Sequence, residues 1–219
     1  MMSMAQKEIL LTLLCVLTAG SSVWLTVRKY KCEKLLQNKR RAILLILGIL
    51  AGSAVCGWFL PLRVDNVPGI VRVLLILFCF TGSALTDLND RKIPNLFPLI
   101  ELIGFAGIMI LQYLMTGKQM FRSFLFGGFL GAALTFVFFW IVRLIAKGGL
   151  GFGDIKLLTC MALNIGIYGT IYTLVIAEVS ALIICIVLLA GKKATIKDTI
   201  PFAPFFLVGF LVTVCLGLL

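Results

Sequence analysis

The sequence predicts an all-α protein, a polytopic transmembrane bundle of about eight helices with its N-terminus and C-terminus outside. Of the 219 residues, 61% are Ala, Val, Ile, Leu, Met, Phe, Trp, Tyr or Cys, and only 13% are charged. Soluble domains contain about 45–50% apolar and about 25% charged residues. The mean hydropathy is +1.13. This composition argues against a soluble enzyme, a nucleic-acid-binding module and a disordered chain.

Eight apolar runs define the predicted helices, and most are long enough to cross a bilayer at about 20 residues per crossing. The run after Asp154 is short or is broken by Asn164 and Gly166, but the alternation of loops requires a helix there. The first run is predicted to be a retained helix, because Lys7 and Glu8 precede it and no signal-peptide cleavage pattern follows. The runs lie at 9–27, 43–60, 70–86, 96–115, 123–146, 155–165, 170–190 and 201–219.

Basic residues are distributed unequally between alternate loops. If successive loops alternate sides, 15 of the 20 Lys and Arg residues fall on one side and five on the other. The positive-inside rule places the basic side in the cytoplasm, so both termini are predicted to lie outside. The longest polar stretch, 28–42, is then a cytoplasmic loop that anchors the topology and contacts anionic lipid.

The residue types present exclude several kinds of catalysis. The chain contains no histidine, which removes Ser-His-Asp and Cys-His catalysis and His-ligated zinc or haem. Its seven cysteines include no CxxC pair, and six lie in apolar runs, where a free cysteine behaves as a small hydrophobic residue. No disulfide framework, metal site or cofactor is therefore predicted. We interpret the net charge of +11 as a topology signal rather than as a nucleic-acid footprint.

Four of the nine acidic residues belong to predicted spans. Glu101 and Glu178 lie well inside spans, and Asp87 and Asp154 lie at cytoplasmic ends. A charged side chain at mid-membrane costs about 2–3 kcal/mol on insertion scales. Such groups usually face protein or water, so each of the four is a candidate functional residue.

Asp87 is predicted to lie at the C-terminus of a helix, just before a tight cytoplasmic turn. Pro94 cannot continue a helix, and Asn95 can cap the next one. Asp90 lies further along, and a solvated loop position is favoured for it. From this segment alone, the favoured interpretation of Asp87 is a polar residue where the chain leaves the membrane.

Asp154 follows a glycine-rich segment and is predicted to occupy the N-cap or first turn of a helix. The glycines at 148, 149, 151 and 153 permit positive φ angles and close backbone approach. A phosphate-binding loop is disfavoured, because the segment has no GxxxxGK[ST], no GxGxxG and no preceding strand. The remaining alternative is a flexible membrane-exit loop with a helix cap.

Asp87 and Asp154 together predict acid–base chemistry, since both are expected at similar depth on the cytoplasmic side. Two carboxyl groups within about 3–5 Å share one proton, because both cannot ionise easily. One can then take a proton from water while the other polarises a peptide carbonyl. The helix macrodipoles favour the anion on Asp154, at a helix N-terminus, and the proton on Asp87, at a helix C-terminus.

These residues resemble those of the type IV prepilin peptidases, which are intramembrane aspartyl proteases of the GxGD class. The resemblance covers roughly 70–219 and depends on the order of three segments. They are Asp87 followed by Ile93-Pro94-Asn95, then Gly151-Phe152-Gly153-Asp154-Ile155-Lys156-Leu157, and finally Ile200-Pro201-Phe202-Ala203-Pro204-Phe205.

The resemblance implies that Asp87 and Asp154 are the catalytic pair of a multi-pass enzyme in the cytoplasmic membrane of a prokaryote. Family members cleave the short basic leader from prepilins, after a glycine, at the cytoplasmic face. No metal or cofactor is expected, and the partners are prepilin-like substrates and the lipid bilayer. Residues 1–69 would form two N-terminal helices with the basic loop, and 70–219 a six-helix peptidase core.

A second group of residues is predicted to shape the site or bind substrate. For the two glutamates, the favoured interpretation is a buried carboxyl that is neutral or paired, and the alternative is binding of the new amino terminus or a basic leader residue. Lys156 is favoured as an interfacial anchor, and the two prolines of the last segment as a wall or a plain helix start. The group is Gly151, Gly153, Lys156, Pro94, Asn95, Pro201, Pro204, Glu101 and Glu178.

One feature departs from many bacterial members of that family, which carry a domain with two CxxC pairs and N-methylate the new pilin terminus. Here that place holds only the basic loop with Cys32, so methyltransferase activity is not expected. The chain resembles the minimal peptidases of tight-adherence or archaellum-type systems. Two alternatives stay open: a non-catalytic scaffold of a pilus or secretion system, and a small transporter in which Glu101 and Glu178 carry ions. No oligomeric state is predicted.

Overall fold

The computed structural model describes residues 3–37, 39–64, 66–146, 150–192 and 200–219. This part of the chain is all-helical and contains no strand, which confirms the predicted fold class. Six segments are long and apolar enough to cross a membrane, and a seventh apolar helix is shorter. The helices are α1 (Met4–Tyr30), α2 (Glu33–Gln37), α3 (Lys39–Arg63), α4 (Val67–Asp90), α5 (Leu96–Ile145), α6 (Phe152–Ala190) and α7 (Ala203–Leu216).

Helix α5 contains two of the predicted crossings, because it folds back on itself. In a straight helix, Phe105 and Phe129 would be about 36 Å apart along the axis, whereas their ring centroids are separated by only 6.1 Å. The rings of Tyr113 and Phe121 are similarly close, at 5.6 Å. The two spans, Leu96–Met115 and Phe121–Ile145, therefore run antiparallel.

Helix α6 also contains two crossings, and the break predicted in this run is confirmed at Gly166 (φ 71°, ψ −175°). Its second half runs back beside α7, where the Thr173 and Thr213 hydroxyls are hydrogen-bonded at 3.2 Å. Leu219, beyond the end of α7, lines the same cavity as Ile165, just before the break. The second half of α6 and α7 are therefore antiparallel.

The eight apolar segments alternate in direction, as predicted. The end of α1 meets the start of α5, where the rings of Tyr30 and Phe97 lie 6.2 Å apart. At the opposite end of the bundle, a cavity of about 390 Å³ is lined by Asn66 before α4, Phe124, and Leu219. The start of α1 and the end of α7 thus lie at the end of the bundle remote from Asp87. That this end faces the outside stays a prediction.

The main hydrophobic core surrounds α4, which packs against α1, α5 and α7. Its residues 79–87 are all buried. The rings of Phe80 in α4 and Phe210 in α7 meet edge-on at 5.9 Å. Cys15 of α1 and Cys56 of α3 are buried in the same core, so the two N-terminal helices pack directly on the rest of the bundle. The division of the chain at residue 70 stays a prediction.

The basic loop folds against the end of α4. The short helix α2 docks there through the backbone N–H of Leu35, which donates to Asn89 Oδ1 at 3.0 Å. Lys34 Nζ lies 3.3 Å from Asp90 Oδ1 in an exposed ion pair. Cys32 is buried under this contact, and burial, together with the nearby Asp90 carboxylate, raises the pKa of its thiol. A buried thiol with a raised pKa is a weaker nucleophile than an exposed one.

The reversal in α6 generates a first prediction. The backbone angles of Gly166 belong to a region that is essentially restricted to glycine, where other residues are strained by about 1–3 kcal/mol. We expect Gly166→Ala to lower the free energy of unfolding by this amount, measured by unfolding of the purified protein in detergent. Gly107→Ala is the matched control, because Gly107 is helical and an added Cβ meets no atom within 4 Å. Equal stabilities of the two variants would contradict the assignment.

Candidate active site

Asp87 lies in the last turn of α4, with only 7% of its surface exposed. The helix ends when Arg91 takes a left-handed conformation (φ 54°) and donates its N–H to the Asp87 carbonyl. The Asp87 carboxylate accepts a hydrogen bond of 3.0 Å from the backbone N–H of Ala203, the first residue of α7. An N–H group at a helix N-terminus stabilises a negative charge, so α7 supplies an electrostatic partner for Asp87.

Asp154 lies in the first turn of α6, as predicted, and is half-buried. Its carboxyl group is oriented towards the backbone N–H of Gly151, which precedes the helix in an extended conformation. The other oxygen of the carboxyl group, Oδ1, is buried and has no hydrogen-bond partner within the described ranges. A substrate or water molecule could fill this unused acceptor position.

The start of α6 packs on the turn after α4, so the fold brings the two aspartates to the same end of the bundle, where a negative charge on Asp87 disfavours a second one on Asp154. Two neighbouring carboxyl groups in a largely buried site favour a state in which one proton is shared. The geometry therefore provides both a potential acid and a potential base.

The predicted division of roles within the pair considered only the helix that carries each aspartate. It placed the proton on Asp87 because α4 ends there. The N–H of Ala203 opposes that effect, because it favours a charge on Asp87. The assignment of the proton therefore stays a prediction, and the hydrogen bond from α7 is the feature that the sequence argument missed.

Steric contacts explain why both positions of the GxGD segment are occupied by glycine. A Cβ on Gly153 would lie 2.9 Å from the Ile93 Cβ and 3.1 Å from its carbonyl oxygen, so the start of α6 packs directly on the turn after α4. A Cβ on Gly151 would lie 2.6 Å from Oδ2 of Asp154. The absence of a side chain at Gly153 lets the two chain segments approach each other, and its absence at Gly151 leaves room for the Asp154 carboxyl group. The predicted glycines at 148 and 149 lie outside the described residues.

Lys156 and Asn95 connect the same two segments. Lys156 Nζ donates to Asn95 Oδ1 at 3.1 Å and lies 4.8 Å from the centroid of the Phe152 ring. Asn95 occupies the predicted cap position of α5, but its side chain makes no capping hydrogen bond. The expectation of a side-chain cap was therefore wrong: the backbone of Asn95 is in the right-handed helical region rather than the extended conformation of a typical capping residue, and its Oδ1 accepts from Lys156 instead. Pro94 lies in the turn between α4 and α5, as predicted.

Arg143 and Trp140 hold the segment before Asp154, and sequence reasoning missed this role. The Arg143 guanidinium donates to the carbonyl oxygen of Leu150, and the Trp140 ring packs edge-on against Phe152 at 6.0 Å. In the sequence, Arg143 counts only as a basic residue at a helix end. The two contacts tie the end of α5 to Leu150 and Phe152, and neither follows from hydropathy or from a sequence motif.

The segment 200–205 lies beside Asp87, through the N–H of Ala203. Pro204 lies in the first turn of α7, where its missing N–H has no helical partner to lose. The Phe202 and Phe206 rings stack below it with centroids 6.3 Å apart. Pro201 precedes the helix. A wall near the aspartates agrees with this position, while pairing with substrate stays a prediction.

The two membrane glutamates lie apart from the aspartate pair. Glu101 is 0% exposed, and neither carboxyl oxygen has a hydrogen-bond partner in the part of the chain that is described. Glu178 is exposed on the outer surface of the bundle and lines a groove between α5 and α6. Among the described residues, no group of three His, Cys, Asp or Glu side chains could hold a metal ion.

Comparisons with known proteins agree with this geometry. A sequence model of the type IV leader peptidase family matches residues 73–187, a range that includes both aspartates. A curated relative, the prepilin leader peptidase/N-methyltransferase of Bacillus subtilis (strain 168), is 26% identical over 165 residues. The match covers 75% of this chain but only 61% of the relative's length. No solved structure gives a significant match.

The unpartnered carboxyl of Glu101 generates a second prediction. Replacing a buried polar group that has no partner with an apolar side chain of similar size removes a desolvation cost of about 1–3 kcal/mol. We therefore expect Glu101→Leu to raise the free energy of unfolding in detergent, and Glu101→Gln to change it less. Glu33→Leu, at an exposed position, is the control and should be nearly neutral. A strong loss of stability in Glu101→Leu would instead indicate a buried partner or a bound cation.

Proposed function

We propose that the chain, which belongs to the type IV leader peptidase family, is an aspartic-type endopeptidase. It removes the leader peptide from prepilin-like membrane proteins at the cytoplasmic face of the cell membrane of a prokaryote. The observation that carries the proposal is the juxtaposition of Asp87 and Asp154 at one end of a multi-pass membrane bundle. The name of the Bacillus subtilis relative supports the substrate class.

The charge distribution supports a cytoplasmic site. The end of the bundle that holds the aspartates also holds the basic segment 28–41, the turn residues 91–92, Arg143 and Lys156. Basic residues near span ends mark the cytoplasmic side. A leader that protrudes from the inner membrane surface would therefore meet the aspartates without crossing the bilayer.

The proposed reaction needs only the two carboxyl groups and water. The ionised carboxylate accepts a proton from a water molecule, whose oxygen attacks the carbonyl carbon of the scissile peptide bond. The protonated carboxyl group donates a hydrogen bond, and then its proton, to the carbonyl oxygen. The carboxyl group that took the proton from water then gives it to the amide nitrogen, and the C–N bond of the tetrahedral intermediate breaks. The other carboxylate takes a proton back from a hydroxyl group of the intermediate, so that a carboxylic acid and an amine are released. The pair ends with one proton, as it began.

Several neighbours would position this pair. The N–H of Ala203 donates to Oδ2 of Asp87 and so restricts the orientation of this carboxyl group. The Lys156–Asn95 hydrogen bond ties the start of α6 to the turn after α4. A displacement of about 1 Å between reacting groups can cost about 100-fold in rate, so we infer that these contacts act on the reaction rather than on stability alone.

The two alternative functions receive less support. A transporter that uses both membrane glutamates requires them to share a path, but Glu101 is sealed in the core and Glu178 faces outwards. A non-catalytic scaffold would not require the close packing of the segments that carry the two aspartates. We propose no methyl transfer, although the relative's name includes it, because the segment between α1 and α3 holds only one cysteine, Cys32.

The catalytic pair generates the central prediction. Asp87→Asn and Asp154→Asn should each reduce leader removal by at least about 100-fold, because each change removes one half of the acid–base pair. The measurement is conversion of a co-expressed prepilin to its shorter form on a gel. Asp90→Asn, on the same helix but exposed, should process normally. Leader removal that survives both changes would refute the aspartic mechanism.

The hydrogen bond between Lys156 and Asn95 generates a further prediction. Lys156→Met should lower kcat by about 3- to 30-fold, and Lys156→Arg should lower it less because a donor is retained. Asn95→Ala combined with Lys156→Met should be no worse than either change alone, because both break the same bond. Strictly additive losses would show that the two side chains act separately.

A further inference from the structure

Glu178 lies where a charged side chain is energetically unfavourable, and the proposed reaction does not involve it. It lies midway along the second half of α6, twelve residues from both Gly166 and Ala190, or about 18 Å from either end. Its side chain is exposed on the outside of the bundle, within a segment that is apolar enough to lie in a membrane. A charged group inside a membrane-spanning segment is energetically costly, and such residues normally face a partner.

The surface around Glu178 is a groove rather than a flat face. It lies between the second halves of α5 and α6 and encloses about 620 Å³. Its walls are exposed apolar side chains such as Leu134 and Val175. Its floor contains two buried hydroxyl groups, those of Thr135 and Thr170. The groove therefore combines an apolar lining with a few polar groups.

The groove leads towards the aspartates. At the remote end it begins with Gly131 and Ile167, beside the reversal of α6. At the other end it reaches Val142 and Val179. The next residue after Val142 is Arg143, which binds the carbonyl oxygen of the segment before Asp154. A helix lying in the groove would thus emerge next to the proposed active site.

The polar groups distinguish between two kinds of occupant. A lipid acyl chain would fill the apolar walls but would leave the Glu178 carboxyl without a partner. A transmembrane helix can supply a polar side chain at the same depth, and such interhelical hydrogen bonds hold membrane helices together. The Glu178 carboxyl group therefore favours a transmembrane helix over a lipid chain as the occupant of the groove.

We propose that this groove binds the apolar helix of the substrate, with the Glu178 carboxyl hydrogen-bonded to a polar side chain of that helix. The inference rests on the proposed function and deepens it, because it assigns the docking surface for the part of the substrate beyond the cleaved bond. Leu134 and Val175 contact the helix, and Glu178 selects for a helix that carries a hydrogen-bonding group within the membrane.

Site-specific photocrosslinking identifies the occupant. A photoreactive amino acid replaces Val175 in the groove or, as control, Val137, which belongs to α5 but does not line the groove. The two side chains are 55% and 53% exposed. The Asp154→Asn background keeps the co-expressed prepilin uncut. We expect a chain–prepilin adduct from position 175 and none from position 137. Equal adducts from both positions, adducts between two copies of the chain, or no protein adduct at all would each overturn the proposal.

Kinetics on the membrane-anchored prepilin test the role of Glu178. Glu178→Leu should raise KM by about three- to fifteenfold with kcat nearly unchanged, because one hydrogen bond between membrane helices is lost. Glu178→Gln should behave like the wild type. Leu134→Trp should also raise KM, whereas Val137→Trp should not. A fall in kcat with KM unchanged, or no effect on either constant, would refute the proposal that the groove binds the substrate helix.

These outcomes are separable from failure of the proposed function. If Asp87→Asn and Asp154→Asn process prepilin normally, the aspartic mechanism fails. If those variants are inactive but the groove variants match the wild type and position 175 gives no prepilin adduct, only the groove proposal fails.

Discussion

The contact between Gly153 and Ile93 is the constraint on which the proposed site depends. The turn after α4 and the start of α6 approach so closely that a single added methyl group would meet the Ile93 backbone and side chain. Because Asp154 follows Gly153 and Asp87 precedes the turn, this contact places the carboxyl-bearing segments side by side. The GxGD pattern thus has a packing explanation in addition to a chemical one.

The four acidic residues of the membrane segments have different surroundings, and these surroundings indicate different roles. Asp87 receives an N–H from the start of α7, and Asp154 retains an unused buried acceptor atom. Glu101 is enclosed without a hydrogen-bond partner among the residues that the structure describes, and Glu178 faces outwards. A carboxyl group can act on a substrate only where the two can meet, so the buried position of Glu101 argues against a direct role in the reaction.

Much of the architecture could be predicted because hydropathy alone defines membrane spans. All eight apolar runs correspond to helical segments, including the two pairs of runs that are joined end to end, one pair within α5 and one within α6. The position of Asp154 in a first turn followed from the glycines before it. By contrast, the Ala203 and Lys156 hydrogen bonds join residues that are 116 and 61 positions apart in the sequence. Only tertiary packing determines those contacts.

The missed bond from α7 has a general cause. Electrostatic reasoning from one helix at a time considers the dipole of the helix that carries the charge and neglects helices that end nearby. In a bundle whose spans alternate, the C-terminus of one helix commonly lies beside the N-terminus of another. Asp87 lies at such a junction, where the start of α7 offsets the end of α4. The charge state of an intramembrane carboxyl group therefore depends on which helix ends meet, and that is a property of the assembled fold.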